Sequence, residues 1–294
     1  MSHNCHNHGH TNQESKNLGI VFLLNFGFAI LEFIGGILSQ STALLSDAIH
    51  DMGDALAIAL AWVFAKIGQK GRSDKFSYGY KRFSLLSALI ASLILVFGAI
   101  AMLIFAAQRL QNPVEVHSDL MILFAILGVA VNGFAVLKIR SGKTLNEQVI
   151  SFHLLEDLLS WIAVLIGAIV IYFTDWYWLD PLMAIGISLW IFVHGLQKGG
   201  KVAQLFLQSV PDGVNQEALT KALTKIPQVE EVHDLHLWSL DGEANIGSCH
   251  IITKANSKTN TLKQKIRDCF AKFHIQHVTI ELESPLDTCS HQQC

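Results

Sequence analysis

A chain of 294 residues with 51% hydrophobic and only 15% charged side chains departs from soluble composition, in which about a quarter of residues are charged. Its mean hydropathy of +0.39 and formal net charge of −3 offer no basic face for nucleic acid. Apolar runs fill the chain up to about residue 196 and a more charged, alternating segment follows, which reads as a membrane protein with a soluble C-terminal domain.

The opening stretch, MSHNCHNHGHTNQESKN, is polar and has no apolar h-region, so no secretory signal peptide is expected. It carries His3, Cys5, His6, His8 and His10. Short His/Cys-rich tracts bind metal weakly and stay disordered, so residues 1–17 read as a cytosolic metal-collecting arm.

A bilayer core needs about 20 apolar residues per helix. Six segments meet that need, at 18–38, 43–67, 83–107, 119–137, 148–173 and 179–196, giving six transmembrane helices within a domain spanning 18–198. Lys66, Lys70, Arg72, Lys75, Lys81 and Arg82 surround the loop after the second. Lys138, Arg140 and Lys143 follow the fourth, and Lys198 and Lys201 the sixth; on the other side only Arg109 is basic. That asymmetry places both termini in the cytoplasm. Trp176, Tyr177 and Trp178 suit the outer interface, where amphipathic rings sit at headgroup level.

Inside the second and fifth segments one pattern recurs, His50-x-x-x-Asp54 and His153-x-x-x-Asp157. Ionisable groups cost kilocalories in a bilayer and are rarely kept there without a function. At i and i+4 each His and Asp share a helix face. Two such helices opposed would offer two imidazoles and two carboxylates, a tetrahedral set suited to Zn²⁺, with Cd²⁺ and Co²⁺ left open. Both ligand types also bind protons, so metal loading must displace them, which is a basis for proton-coupled exchange. Asp47 lies three residues before His50 and is placed on the entry path. Asp51 and Glu156 are set off the shared faces, as groups that hydrogen-bond between helices or orient the ligands.

The segment 199–294 reads as an α-β-β-α-β domain. A helix is predicted at 214–226, a strand in VEEVHDLHLWSL, and a turn at Asp241-Gly242. A strand NIGSCHIIT, a helix at 262–273 and a strand HVTIELE complete it. Its candidate metal residues are His233, His236, His250, His277, Glu281 and Glu283, with Cys289, His291 and Cys294 beyond. Strict alternation would put His233 and His236 on opposite faces of a regular strand. The five cysteines, Cys5, Cys249, Cys269, Cys289 and Cys294, are odd in number and fall in the tail and soluble domain. A disulfide framework is therefore not expected, and thiols in a reducing cytosol are free or metal-binding.

The stretch NFGFAILEFIGGILSQSTALLSDAIHDMGDALAIA resembles the first two helices of the cation diffusion facilitator family of zinc transporters. YGYKRFSLLSAL, FHLLEDLLSW and WLDPLMAIGISL resemble its third, fifth and sixth helices, and VHDLHLWSLDGE and HVTIELESP its cytoplasmic domain. The resemblance implies a six-helix homodimer that exports Zn²⁺ from the cytosol against protons by alternating access. It implies transport ligands at His50, Asp54, His153 and Asp157, and regulatory zinc ligands at His233, His250 and Glu283. Cys289 and Cys294 resemble a C-terminal pair of some members, with His236 and His277 as additional metal candidates. A prokaryotic inner membrane is the expected location. The loop KIRSGKTLNEQ lacks the histidines that many eukaryotic members carry there, and residues 68–80 contain none.

Two rival classes share parts of this pattern. An intramembrane zinc protease would show a His-Glu-x-x-His box, and a di-iron oxidase several His boxes; neither is present. A metal-gated channel or sensor shares the ligand chemistry and differs in proton coupling.

Overall fold

The structure, a computed structural model, describes residues 11–139, 145–254 and 259–285; at 11–21, 24, 138–139 and 145–153 the description covers the backbone alone. Six long helices come first: α1 (Thr11–Ser39), α2 (Thr42–Gly68), α3 (Phe83–Gln111), α4 (Ser118–Ile139), α5 (Leu145–Thr174) and α6 (Leu179–Phe206). They are followed by α7 (Gln216–Thr224), β1 (Val229–Ser239), β2 (Asn245–Thr253), α8 (Thr259–Lys272) and β3 (Ile275–Glu283). Five of the long helices, α2 to α6, contain stretches long and apolar enough to cross a membrane, and α1 contributes the shorter apolar stretch Asn25–Ser39. The chain divides into two compact units, one drawn from Met1–Val63 and Ser87–Gly199, the other from Phe64–Leu86 and Gly200–Cys294.

The first unit packs through small residues. Its core joins Ala43, Leu44, Ala106, Met121, Ala125, Trp161, Val164, Ala168 and Ala184. Gly128 of α4 lies against the Trp161 indole so closely that a Cβ there would overlap the ring. Close approach over small residues is how membrane helices gain packing where the solvent is itself apolar. Large apolar side chains such as Phe97, Phe134, Ile166 and Leu189 point outward, as a lipid-facing surface requires.

The start of α2 is tied down by polar contacts. Asp180 of α6 accepts from the backbone N–H groups of Thr42 (2.6 Å) and Ala43 (3.2 Å) and from the Ser41 hydroxyl (2.5 Å). One carboxylate thereby satisfies helix-terminal donors that have no partner within the helix. Ser46 and Ser188 share a hydrogen bond of 2.7 Å one turn further along.

In the second unit β2 is central, antiparallel to β1 and parallel to β3, which is reached through α8. Leu219, Leu223, Leu262, Ile266 and Phe270 of the two helices cover Leu237, Cys249 and Ile251 on one face of the sheet. The β1–β2 turn follows the Asp-Gly signal: Asp241 Oδ1 accepts from the N–H groups of Glu243 (3.0 Å) and Ala244 (2.7 Å). Gly242 takes a φ of +95°, a left-handed conformation that glycine adopts without a steric penalty. The α-β-β-α-β order is that read from the sequence.

Candidate functional site

On α2, residues 47, 50, 51 and 54 follow the i, i+3, i+4, i+7 spacing that places side chains on one helical stripe. His50 Nε2 lies 3.7 Å from Asp54 Oδ2 one turn away. His50, Asp51 and Asp157 of α5 each offer a ligand atom, and these atoms lie within 4.8 Å of one another. Asp47 belongs to the same stripe, and its Oδ1 accepts a hydrogen bond of 3.0 Å from Ser160 of α5. A cavity of about 510 Å³ opens onto the group, lined by Asp47, His50, Glu156, Asp157 and Ser160, with Trp190 on α6.

Glu156, expected off the shared face, lines the cavity beside His50 and Asp157, and Asp51 departs from expectation as well. The sequence reading set Asp51 off the His50 face, yet the structure draws Asp51 into the group that contains His50 and Asp157. Adjacent residues are only about 100° apart on a helix, so a partner such as Asp157 of α5 can reach both. Asp54 stays beside His50 but lies outside that three-residue group. Glu32 of α1, 1% exposed, brings a further carboxylate close to Asp51 from a third helix; its sequence signal was a lone acid inside an apolar run. The side chain of His153 lies outside the described residues.

On the sheet face away from the helices a second group forms. His233 of β1 is directly opposite His250 of β2, their rings 5.5 Å apart and edge to face. His250 Nδ1 lies 2.7 Å from Glu283 Oε1, and His233 Nε2 lies 3.2 Å from Glu283 Oε2. All three residues offer atoms within 4.8 Å of one another. Two imidazoles and a carboxylate, with Glu283 buried and its Oε2 without a hydrogen-bond donor, fit a borderline divalent ion.

Between His233 and His236 the pairing register slips by one residue, and Asp234 takes a φ of +48°. This bulge cancels the alternation expected from a regular strand, so His236, paired with Ser248, comes to the same face as His233 and His250. Asp234 then lies between two histidines, 2.8 Å from His236 Nε2 and 3.6 Å from His250 Nε2. Glu281 approaches His250 Nε2 at 3.5 Å. His277 is paired with Ile246 near the start of β3 and lines a separate cavity.

Cys249 sits in the domain core, where burial pushes its thiol up to about 12. A thiol that stays protonated at neutral pH is a poor metal ligand. Burial also raises the Cys269 thiol, partly opposed by Lys272. Cys289, His291, Cys294 and the histidines of residues 1–10 lie outside the described residues.

An intramembrane His/Asp group joined to a separate cytosolic-type domain is the arrangement of a metal transporter, and family comparison agrees. Residues 18–204 match the cation efflux transmembrane domain, and residues 211–285 the cytoplasmic domain of cation efflux proteins. The chain belongs to this family, the cation diffusion facilitators, and is therefore a multi-pass cation transporter and not an enzyme. It is similar to the metal cation efflux system protein CzcD of Cupriavidus metallidurans, 33% identical over 95% of this chain and 89% of that one. The zinc transporter ZitB of Pectobacterium atrosepticum is 31% identical over 99% of this chain and 92% of its own. A cadmium, cobalt and zinc/H(+)-K(+) antiporter of Bacillus subtilis is 29% identical over 97% and 92%.

Proposed function

We propose that the chain exports Zn²⁺ from the cytosol in exchange for protons, with Cd²⁺ and Co²⁺ as further cargo, by alternating access around His50, Asp54, His153 and Asp157. The observation that carries this reading is the meeting of His50 on α2 with Asp157 on α5 at the mouth of a cavity of about 510 Å³. Asp54 adds a second carboxylate 3.7 Å from His50, and His153 completes the set by its helical spacing from Asp157. Asp51 joins as a carboxylate that takes a proton or the ion as the set is loaded and unloaded. The imidazoles hold metal when neutral and release it when protonated, which links metal to proton movement. Relatives named for zinc, cadmium and cobalt and for proton exchange support the same cargo and coupling.

The cytosolic domain binds regulatory zinc through His233, His250 and Glu283, with His236 and Asp234 beside them. Metal there replaces repulsion between acidic groups with shared coordination and draws two copies of the domain together in a homodimer. The match to the cytoplasmic domain of cation efflux proteins supports this part. Both termini face the cytoplasm of a bacterial cell, and the protein occupies its inner membrane; the Lys and Arg asymmetry of the loops supports that orientation.

Uptake into proteoliposomes with Zn²⁺, Cd²⁺, Co²⁺ and Mn²⁺ in competition, with internal pH recorded, tests the reading. Zinc entry accompanied by opposite proton movement is expected. Flux indifferent to pH and to a proton gradient would favour a metal-gated channel instead.

A further inference from the structure

Away from both metal groups, a cavity of about 660 Å³ lies wholly within the second unit. One wall is the connection from α2 to α3; the other is the β1–β2 turn with the first residues of β3. Lys70, Arg72 and Lys81 line it, against a single carboxylate, Asp241. Asp241 is already engaged by Lys81 at 4.0 Å. Lys70 and Arg72 are exposed and have no ion-pair partner among the described residues.

Two of the neutral polar side chains of the cavity, Gln276 and Asn245, are already engaged. Gln276 Oε1 accepts from the Asn245 amide at 2.7 Å, and its Nε2 donates to the Glu243 carbonyl at 3.3 Å. Asn245 Nδ2 donates to the His274 carbonyl at 3.1 Å. What remains, beside the unpaired Asn245 Oδ1, is a surplus of positive charge, to which Tyr78 and His277 add a hydroxyl and an imidazole. Such a pocket selects an anion, and an arginine beside a lysine suits the oxygens of a phosphate.

Chain connectivity says where that phosphate comes from. The loop wall begins in the last turn of α2 and ends at the first residues of α3, both long and apolar enough to cross a membrane. It therefore lies at headgroup depth. Between residues 66 and 82 there are six cations, Lys66, Lys70, Arg72, Lys75, Lys81 and Arg82, against one carboxylate, Asp74. Clusters of this size beside a membrane helix attract anionic lipid.

The geometry points to a binding site for a phosphate-bearing anion in this cavity, occupied by the phosphodiester headgroup of an anionic lipid and held by Lys70 and Arg72. Inorganic phosphate shares the chemistry and is the alternative source. Neither group takes part in the proposed transport set, so the site stands or falls independently of the zinc reading.

Native mass spectrometry of the full chain in detergent, with equal phosphatidylglycerol and phosphatidylcholine, tests it. The wild type should retain phosphatidylglycerol preferentially, and Lys70→Gln with Arg72→Gln should reduce that preference by about tenfold. Lys75→Gln with Arg82→Gln removes the same charge from side chains outside this cavity and should leave the preference in place. In a second arm, inorganic phosphate is titrated calorimetrically into lipid-free protein. Phosphate binding lost in the Lys70/Arg72 variant, without lipid preference, would assign the same site to the free anion. Absence of both, retention unchanged in the Lys70/Arg72 variant, or equal loss in the two variants would overturn the site.

Discussion

His50 and Asp51 are neighbours in the chain, yet the structure gives both to the same partner, Asp157. The His-x-x-x-Asp spacing made His50 and Asp54 legible in the sequence, because i and i+4 always share a face. Asp51 was not legible in the same way: its role depends on the direction from which α5 approaches, which no local pattern in α2 encodes. Asp51→Asn keeps the size of the side chain while removing a charge. Zinc affinity measured in detergent should fall by about 10–100-fold. Unchanged affinity would place Asp51 outside the ion's surroundings.

Cys249 offers a second test at this scale. Because burial holds its thiol up to about 12, the folded protein keeps it protonated while an unfolded chain would ionise it near the ordinary value. Alkylation of Cys249, followed by peptide mapping, should stay suppressed as pH rises from about 8 to about 10, whereas an exposed thiol reacts through its thiolate. Ready labelling at pH 8 would contradict the buried placement.

Among the elements, α4 and α5 meet most tightly at one point. The spacing of apolar residues predicted both helices, but nothing in the composition of α4 marked Gly128 as the residue against which Trp161 lies. A Cβ that overlaps a ring carbon cannot be absorbed by moving a flexible chain end. Gly128→Ala should destabilise the transmembrane unit by about 1–3 kcal/mol, the usual cost of overpacking. A lowered melting temperature in detergent would show it, and an unchanged one would mean that the helices are not in this contact. The bulge in β1 teaches the same lesson for strands. Period-2 alternation separated His233 from His236, and the left-handed Asp234 reunites them on one face. The sequence contains no Gly at that point to announce the irregularity.

For the whole molecule, the division into a membrane unit and a soluble sheet-and-helix unit could be read from hydropathy and charge, since each environment imposes its own pattern on the chain. The cytosolic metal group could not be read that way, because it brings together residues far apart in sequence, such as His250 and Glu283; only the family resemblance pointed to it. If zinc at His233, His250 and Glu283 tunes activity, His250→Ala should raise the zinc concentration needed for transport without removing transport itself. Flux measured over a zinc series in proteoliposomes distinguishes this from loss of the transport set, which would lower the maximal rate at every concentration.

In the proposed cycle zinc crosses the membrane through a set shared by α2 and α5. Zinc uptake by proteoliposomes carrying Asp157→Ala tests it most directly, with melting temperature and oligomeric state compared with the wild type. The account predicts a folded protein whose uptake is abolished, since one missing ligand opens the coordination shell. Near-normal uptake by that variant would contradict it.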